Sequence, residues 1–283
     1  MPEPLHGGAD PAVTPWVRNC GVRVLAVGPE RAVSLVLEAA LRADRDPEAR
    51  PGVVAHLCNA WTLACARSDP AYAAVLERGD LPFADGTPLV WFARLAGSDI
   101  HRRVYGPDLV LDVADAGRML RVRHYLLGGT PETVVALRAA LDRHAPGLEV
   151  VGFESPPFGP LSDADLSDIA ERIVSSGATV VWVGLGTPQQ DIVVDRLRNS
   201  VPAVLVPVGA AFDFISGNRR QAPRWVQRCG LEWLFRLSVE PRRLWRRYVL
   251  GIPNYVAGSL IDLVAARGRP HLHDGGVPQE LLD

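Results

Sequence analysis

The chain contains no lysine: all 30 basic residues are arginine. The G-x-x-x-x-G-K-[ST] loop of P-loop NTPases therefore cannot be written anywhere in it. Cysteine is scarce, with four residues at 20, 58, 65 and 229, a spacing that fits neither a zinc ribbon nor a disulfide framework. They read as reduced, mostly buried thiols. No clean apolar run of membrane-spanning length exists, and the nearest candidate, residues 248–266, is interrupted by Gly251, Pro253, Gly258 and Asp262, so a spanning helix is not expected. The first fifteen residues are rich in proline and glycine and have no apolar stretch after a basic start, so no secretory signal is read and the expectation is a protein that stays inside the cell. Also missing are H-E-x-x-H, G-x-S-x-G, clustered His/Cys ligands and the dinucleotide fingerprint with its downstream acid. Zinc hydrolases, serine esterases and nicotinamide oxidoreductases thus lack support.

What remains is a chain of 283 residues, 48% hydrophobic, enough for one large α/β domain with a small appendage. Net charge is only −2, but residues 219–247 hold nine arginines against Glu232 and Glu240. That segment is strongly positive and the rest of the chain correspondingly acidic. Such asymmetry points to one dedicated basic surface rather than to a nucleic-acid-binding protein.

From Gly21 onward, short β-branched runs alternate with helical patterns: a strand at 22–27, a helix at 31–42, a strand at 53–57, and helices at 61–66 and 71–78. The last follows Asp69-Pro70, an N-cap with proline at the first helical position. The middle reads as strand 124–127, helix 131–144, strand 148–153, helix 164–175, strand 179–183, helix 189–198 and strand 203–206. Near-continuous apolar strands in βαβ units predict a doubly wound, Rossmann-like parallel sheet covered on both faces, with ligands at the carboxyl ends of its strands. Beyond Ala210 the pattern changes to Arg- and Trp-rich helices. The expected organisation is a disordered tail at 1–20, a Rossmann-like domain at 21–218, a basic amphipathic membrane-associating appendage at 219–266 and a disordered tail at 267–283.

Three glycine turns directly follow strands: Gly128-Gly129-Thr130, Gly184-Leu185-Gly186-Thr187 and Gly209-Ala210-Ala211. One such turn merely permits a tight connection, whereas three on one sheet edge favour a nucleotide pocket built from backbone N–H groups. Asp85, in Ala84-Asp85-Gly86, falls at a strand end, where it either takes a proton from an acceptor hydroxyl or caps a turn. Arg103 either neutralises a diphosphate or is a surface arginine, and Asp108 reads as a helix cap. Two D-x-D spellings, Asp44-Arg45-Asp46 and Asp163-Ala164-Asp165, are read as capping residues that precede or begin helices rather than as a metal pair. In the basic segment, Trp225, Trp233, Phe235, Trp245 and Tyr248 interleave with arginines. That composition suits an anionic membrane surface, with packing on the protein's own body and RNA binding as the alternatives.

Taken together, Ala84-Asp85-Gly86, Arg103-Val104-x-Gly106-x-Asp108-Leu109, Leu127-Gly128-Gly129, Gly184-Leu185-Gly186-Thr187-Pro188-Gln189-Gln190-Asp191, Gly209-Ala210-Ala211-Phe212-Asp213-Phe214, Gly230-Leu231-Glu232-Trp233 and Arg236-Leu237-x-x-Glu240-Pro241-x-Arg243 resemble the WecG/TagA/CpsF glycosyltransferases. The resemblance implies an inverting transferase that uses neither metal nor cofactor. It would move a sugar from a UDP donor, often an N-acetylmannosamine derivative, to a polyprenyl-diphosphate-linked acceptor, in polysaccharide or teichoic acid synthesis on the inner face of a bacterial plasma membrane. It casts Asp85 as base and Arg103 as the phosphate-proximal arginine, with Asn59, Gln190 and Asp213 on UDP and Gly128, Gly129, Gly184 and Gly186 lining the pocket. Arg236, Arg243 and Arg246 would complete the site and meet the lipid diphosphate. Homo-oligomerisation is compatible with this reading, and a non-catalytic nucleotide-sugar sensor or membrane scaffold is the alternative to it. The chain departs from many relatives in carrying Leu57 two residues before the asparagine, and Gln189 and Asp191 in place of lysine and glutamate.

Overall fold

The computed structural model describes residues 16–46 and 51–267, so most of both expected tails lies outside the described residues. Residues 16–20 of the expected N-terminal tail are instead part of the fold, because β1 (Trp16–Asn19) pairs antiparallel with β2 (Val22–Leu25). Cys20 and Gly21 between them both have positive φ, 53° and 86°, as a two-residue hairpin turn requires. Four residues beside a proline-rich stretch leave too little alternation for a pattern-based reading to register.

The strands divide between two sheets rather than forming the single sheet expected. After α1 (Pro29–Arg45), β3 (Val53–Val54) pairs parallel with β9 (Val204–Pro207). Three residues further on, β4 (Leu57–Cys58) pairs parallel with β5 (Phe83–Ala84) in the sheet that also holds β1 and β2. The strand expected at 53–57 thus changes sheets at Ala55 and His56. Ala55 N–H still donates to Leu205 of one sheet at 3.0 Å, while Phe83 N–H of the other donates to the His56 carbonyl at 2.8 Å, so each sheet keeps a backbone bond at the crossing. His56 is fully buried there, with Nδ1 2.9 Å from an Asp191 oxygen whose twin accepts from Tyr72 at 2.9 Å.

The larger sheet is parallel throughout. It contains β6 (Arg123–Gly128), β7 (Glu149–Glu154), β8 (Val180–Gly184), β9 and β3, in the order β3-β9-β8-β6-β7. The crossovers are α6 (Pro131–His144), α7 (Asp163–Ser176) and α8 (Gln189–Leu197). Since β7 lies on one side of β6 and β8 on the other, the strand order reverses there and opens a crevice at the carboxyl ends of β6 and β8. Helices cover both faces, which is why Val180, Val181, Trp182 and Val183 are all sealed from solvent. The Trp182 indole N–H donates to Nδ1 of buried His124 at 3.0 Å. Burial pushes the His124 pKa down to about 4, keeping the ring a neutral acceptor.

Around the smaller sheet lie α2 (Ala60–Ser68), α3 (Pro70–Glu77), α4 (Thr87–Leu95) and α5 (Gly106–Arg118). Asp69 caps α3 through Ala71 and Tyr72 N–H, with Pro70 at the helix start, as the spelling predicted. After β9 come α9 (Ala211–Ile215), α10 (Arg224–Arg228), α11 (Glu232–Val239) and α12 (Pro241–Arg267). The last runs unbroken through Pro253 and, by length and composition alone, could cross a membrane. One face of it is committed to the protein: Tyr255 is buried, a side chain at Gly251 would strike Trp61, and one at Gly258 would strike Cys20. Ser259 donates to Asn19 at 2.8 Å and Asp262 accepts from Gly21 N–H at 2.6 Å. Helix α12 is thus seated on α2 and β1.

Candidate active site

Asn59 and Asp85 each follow the last paired residue of adjacent parallel strands, Cys58 opposite Ala84, so the register alone puts them side by side. Asp85 does not cap its own helix α4, whose N-cap is Gly86. Its Oδ1 instead accepts from Gly106 N–H, the first of α5, at 3.3 Å. Asp108, expected to cap α5, stands in its first turn without a capping bond, behind the N-cap Tyr105. Burial pushes the Asp85 pKa up to about 7; Arg103 opposes this, Glu232 reinforces it, and Gly106 N–H and Arg236 oppose it more weakly. Desolvation outweighs the nearby cations and the helix N-terminus.

Arg103 is held rather than waving from the surface. Its guanidinium donates to the Asp85 carbonyl at 3.4 Å, to Gln227 at 3.3 Å and to Glu232 at 2.5 Å, and it lies 4.1 Å from the Tyr105 ring centroid. Two of these partners come from the C-terminal segment.

Gly106 also joins the two sheets. A side chain there would meet Leu57, Val208 and Ala211, so the Asp85 corner abuts the Gly209-Ala210-Ala211 turn after β9. At the switch point Gly129 N–H donates to Gly184 at 3.1 Å. A Cβ on Gly128 would fall 2.6 Å from the Gly184 oxygen, and one on Gly184 would fall 2.7 Å from Phe212. These glycines therefore allow close backbone contact as well as tight turns. Gly186 N–H donates to the Gln190 side-chain oxygen at 3.0 Å, so buried Gln190 braces that loop. Leu57 is buried in β4, and Asp191 belongs to the His56 and Tyr72 network rather than to the strand edge.

Of the remaining expected residues, Arg236 is near enough for its charge to act on Asp85. Asp213, on α9, pairs with Arg219 at 3.0 Å, which also reaches Glu240 at 3.3 Å. Arg236 lies over the Phe214 ring at 5.5 Å. Arg246 is exposed, over its neighbour Trp245 at 5.4 Å, away from Asp85's partners, and the Arg243 side chain lies outside the described residues. Sequence reasoning missed Arg247, which donates to Asn59 at 3.2 Å and lies over Trp61 at 5.4 Å. It also missed Glu232, Gln227 and Arg219. The available signal was the pair of acids, Glu232 and Glu240, placed alone among nine arginines: both are ion-paired to arginines. Both D-x-D spellings lie at helix ends. Asp44 sits in the last turn of α1 rather than before a helix and pairs with Arg123 at 2.6 Å, while Asp165 completes a capping box with Ser162. Of the cysteines, Cys229 is exposed, unlike Cys20 and Cys58.

Parallel α/β architecture with polar groups gathered at strand carboxyl ends is a frame for a ligand-binding enzyme. The model of the glycosyl transferase WecG/TagA/CpsF family matches residues 17–269, and the chain belongs to that family: it is a glycosyltransferase. Among its relatives is an N-acetylglucosaminyldiphosphoundecaprenol N-acetyl-beta-D-mannosaminyltransferase of Bacillus spizizenii, 32% identical over 207 residues that span 73% of this chain and 77% of the relative. A protein of the same name from Bacillus subtilis is 29% identical over 205 residues, 72% of this chain and 77% of the relative.

Proposed function

We propose that this enzyme transfers a sugar of the N-acetylmannosamine type from a UDP donor to a polyprenyl-diphosphate-linked acceptor, with inversion and without a metal, while seated on the inner face of the plasma membrane. The names of the relatives support the acceptor and donor classes. The observation that carries the chemistry is Asp85, a desolvated carboxyl of raised pKa at a strand end, backed by Arg103 and the first N–H of α5. A carboxylate that titrates near neutrality is matched to general-base work. In the proposed step the acceptor oxygen bonds to the anomeric carbon, its proton passes to Asp85, and the bond to UDP breaks. The departing diphosphate charge is met by Arg103, Arg236 and the N–H groups of the glycine turns. Asn59, Gln190 and Asp213 are proposed to frame the nucleotide.

Membrane seating is proposed from the outward face of α10–α12, where Trp225, Trp233, Trp245, Val249 and Leu250 are exposed beside Arg242 and Arg246. Such a surface buries apolar groups at the headgroup boundary while arginines reach lipid phosphates. The deciding experiment follows labelled sugar from a panel of UDP-sugars onto a lipid-linked N-acetylglucosamine acceptor. Wild type should form product, and Asp85→Asn should lose at least about a hundredfold in kcat while binding UDP as before. Retained turnover in Asp85→Asn removes Asp85 from the role, and a wild type that binds UDP yet never transfers points to the non-catalytic sensor.

A further inference from the structure

We infer that Glu232 is a positioning residue for the transfer step, holding the Arg103 guanidinium beside Asp85 from the first turn of α11; the inference rests on the transferase reading above. The side chains of Arg103 and Glu232 are 17% and 12% exposed and 2.5 Å apart. A half-withdrawn ion pair of this kind is strongly destabilised by loss of one partner. Arg103 has fixed contacts on four sides: the Asp85 carbonyl, the Tyr105 ring, Gln227 and Glu232. Glu232 supplies the only charge among them. As the first residue of α11 it also complements that helix's dipole, so the same carboxylate docks α11 and orients Arg103.

A second effect follows from like charge. Among the described residues, the charged or titratable groups that act on Asp85 are Cys58 at the end of β4, Arg103 and Tyr105 ahead of α5, and Glu232 and Arg236 on α11. Of the two from α11, Glu232 favours the protonated carboxyl and Arg236 the ionised one. Neutralising Glu232 acts on Asp85 in two opposed ways: it removes a charge that favours the protonated carboxyl, and it frees Arg103, whose cation favours the ionised form more strongly.

The test uses the full-length protein and two substitutions. Glu232→Gln keeps the shape and removes the charge; Glu232→Asp keeps the charge and shortens the reach. The Asp85 carboxyl is titrated by carbon NMR, with its signal assigned by its disappearance in Asp85→Asn, and the pH dependence of kcat is measured alongside. For Glu232→Gln both midpoints should rise, because the larger influence of Arg103 on Asp85 is lost with its anchor. Its kcat should fall on the order of tenfold to a hundredfold, with donor KM changed by no more than about threefold. Glu232→Asp should keep the wild-type midpoint. An unmoved or lowered midpoint in Glu232→Gln, which means that Arg103 stays in place without Glu232, or an equal shift in Glu232→Asp, overturns the inference. Absence of transfer by wild type overturns the transferase reading instead, and the NMR titration, which needs only folded protein, still decides on Glu232.

Discussion

The sheet-bearing body and the C-terminal helices are built by opposite rules. In the body the central strands are sealed on both faces, and Trp182, Phe83, Phe212 and Leu137 are among its largest fully buried side chains. Helix α11, by contrast, buries no residue at all, and α12 commits a single stripe containing Leu244, Tyr255 and Ser259. The segment is held by that stripe and by polar clamps: Glu232 on Arg103, Arg219 between Asp213 and Glu240, and Arg247 on Asn59. The first of these clamps ends on the partner of Asp85 and the last on Asn59 beside it. Burial of apolar area holds the body together, whereas charge placed against the site holds the segment, so damage to the two regions should register in different measurements.

The sharpest contrast comes from tryptophans. Trp182→Ala should cost about 3–5 kcal/mol by denaturant unfolding, because it opens a cavity and orphans the His124 acceptor. Trp225→Ala, 66% exposed, should stay within about 0.5 kcal/mol; comparable losses would erase the distinction between the regions. Next in size, the double variant Arg242→Glu with Arg246→Glu should weaken binding to anionic vesicles by at least about tenfold. Its melting temperature should not change, and unaltered sedimentation with vesicles would remove the membrane role from this face.

A further effect, confined to one part of the pH range, concerns Asp85. The Asp85 pKa rises from 3.8 to about 7 on folding, so between these values the folded chain holds a proton that the unfolded chain releases. That contribution to stability is present below about pH 4 and is lost as pH climbs to about 7. Asp85→Asn should therefore be the more stable protein at pH 8, by roughly 1–3 kcal/mol, and no more stable at pH 4. A wild type that matches the variant at both pH values would mean that water reaches the carboxyl and that its pKa is ordinary.

Local signals carried much of the fold. The helix at 131–144 matches α6 residue for residue, and the strands at 124–127 and 179–183 lie within a residue or two of β6 and β8, because apolar runs, proline at N1 and capping residues act over a few positions. The stretch at 53–57 was misread because its two halves serve different sheets, a decision made by β9 and β5, which lie far away in sequence. The strand-end placement of Asp85 was legible, whereas its partner at the α5 N-terminus was not, since Asp108 carries the better capping spelling. Arg103 could be singled out but not its counter-charge 129 residues later.

The sequence alone was sufficient to set the α/β class, the glycine turns after β6, β8 and β9, and the concentration of arginine beyond residue 218, since propensity, periodicity and charge are local or additive. Tertiary structure decided the division into two sheets, the seating of α12, and the meeting of Asp85, Arg103 and Glu232. Each of these depends on which remote surfaces come to exclude water from one another, and a charge acquires its partner, and a carboxyl its proton affinity, only inside the environment that the completed fold creates.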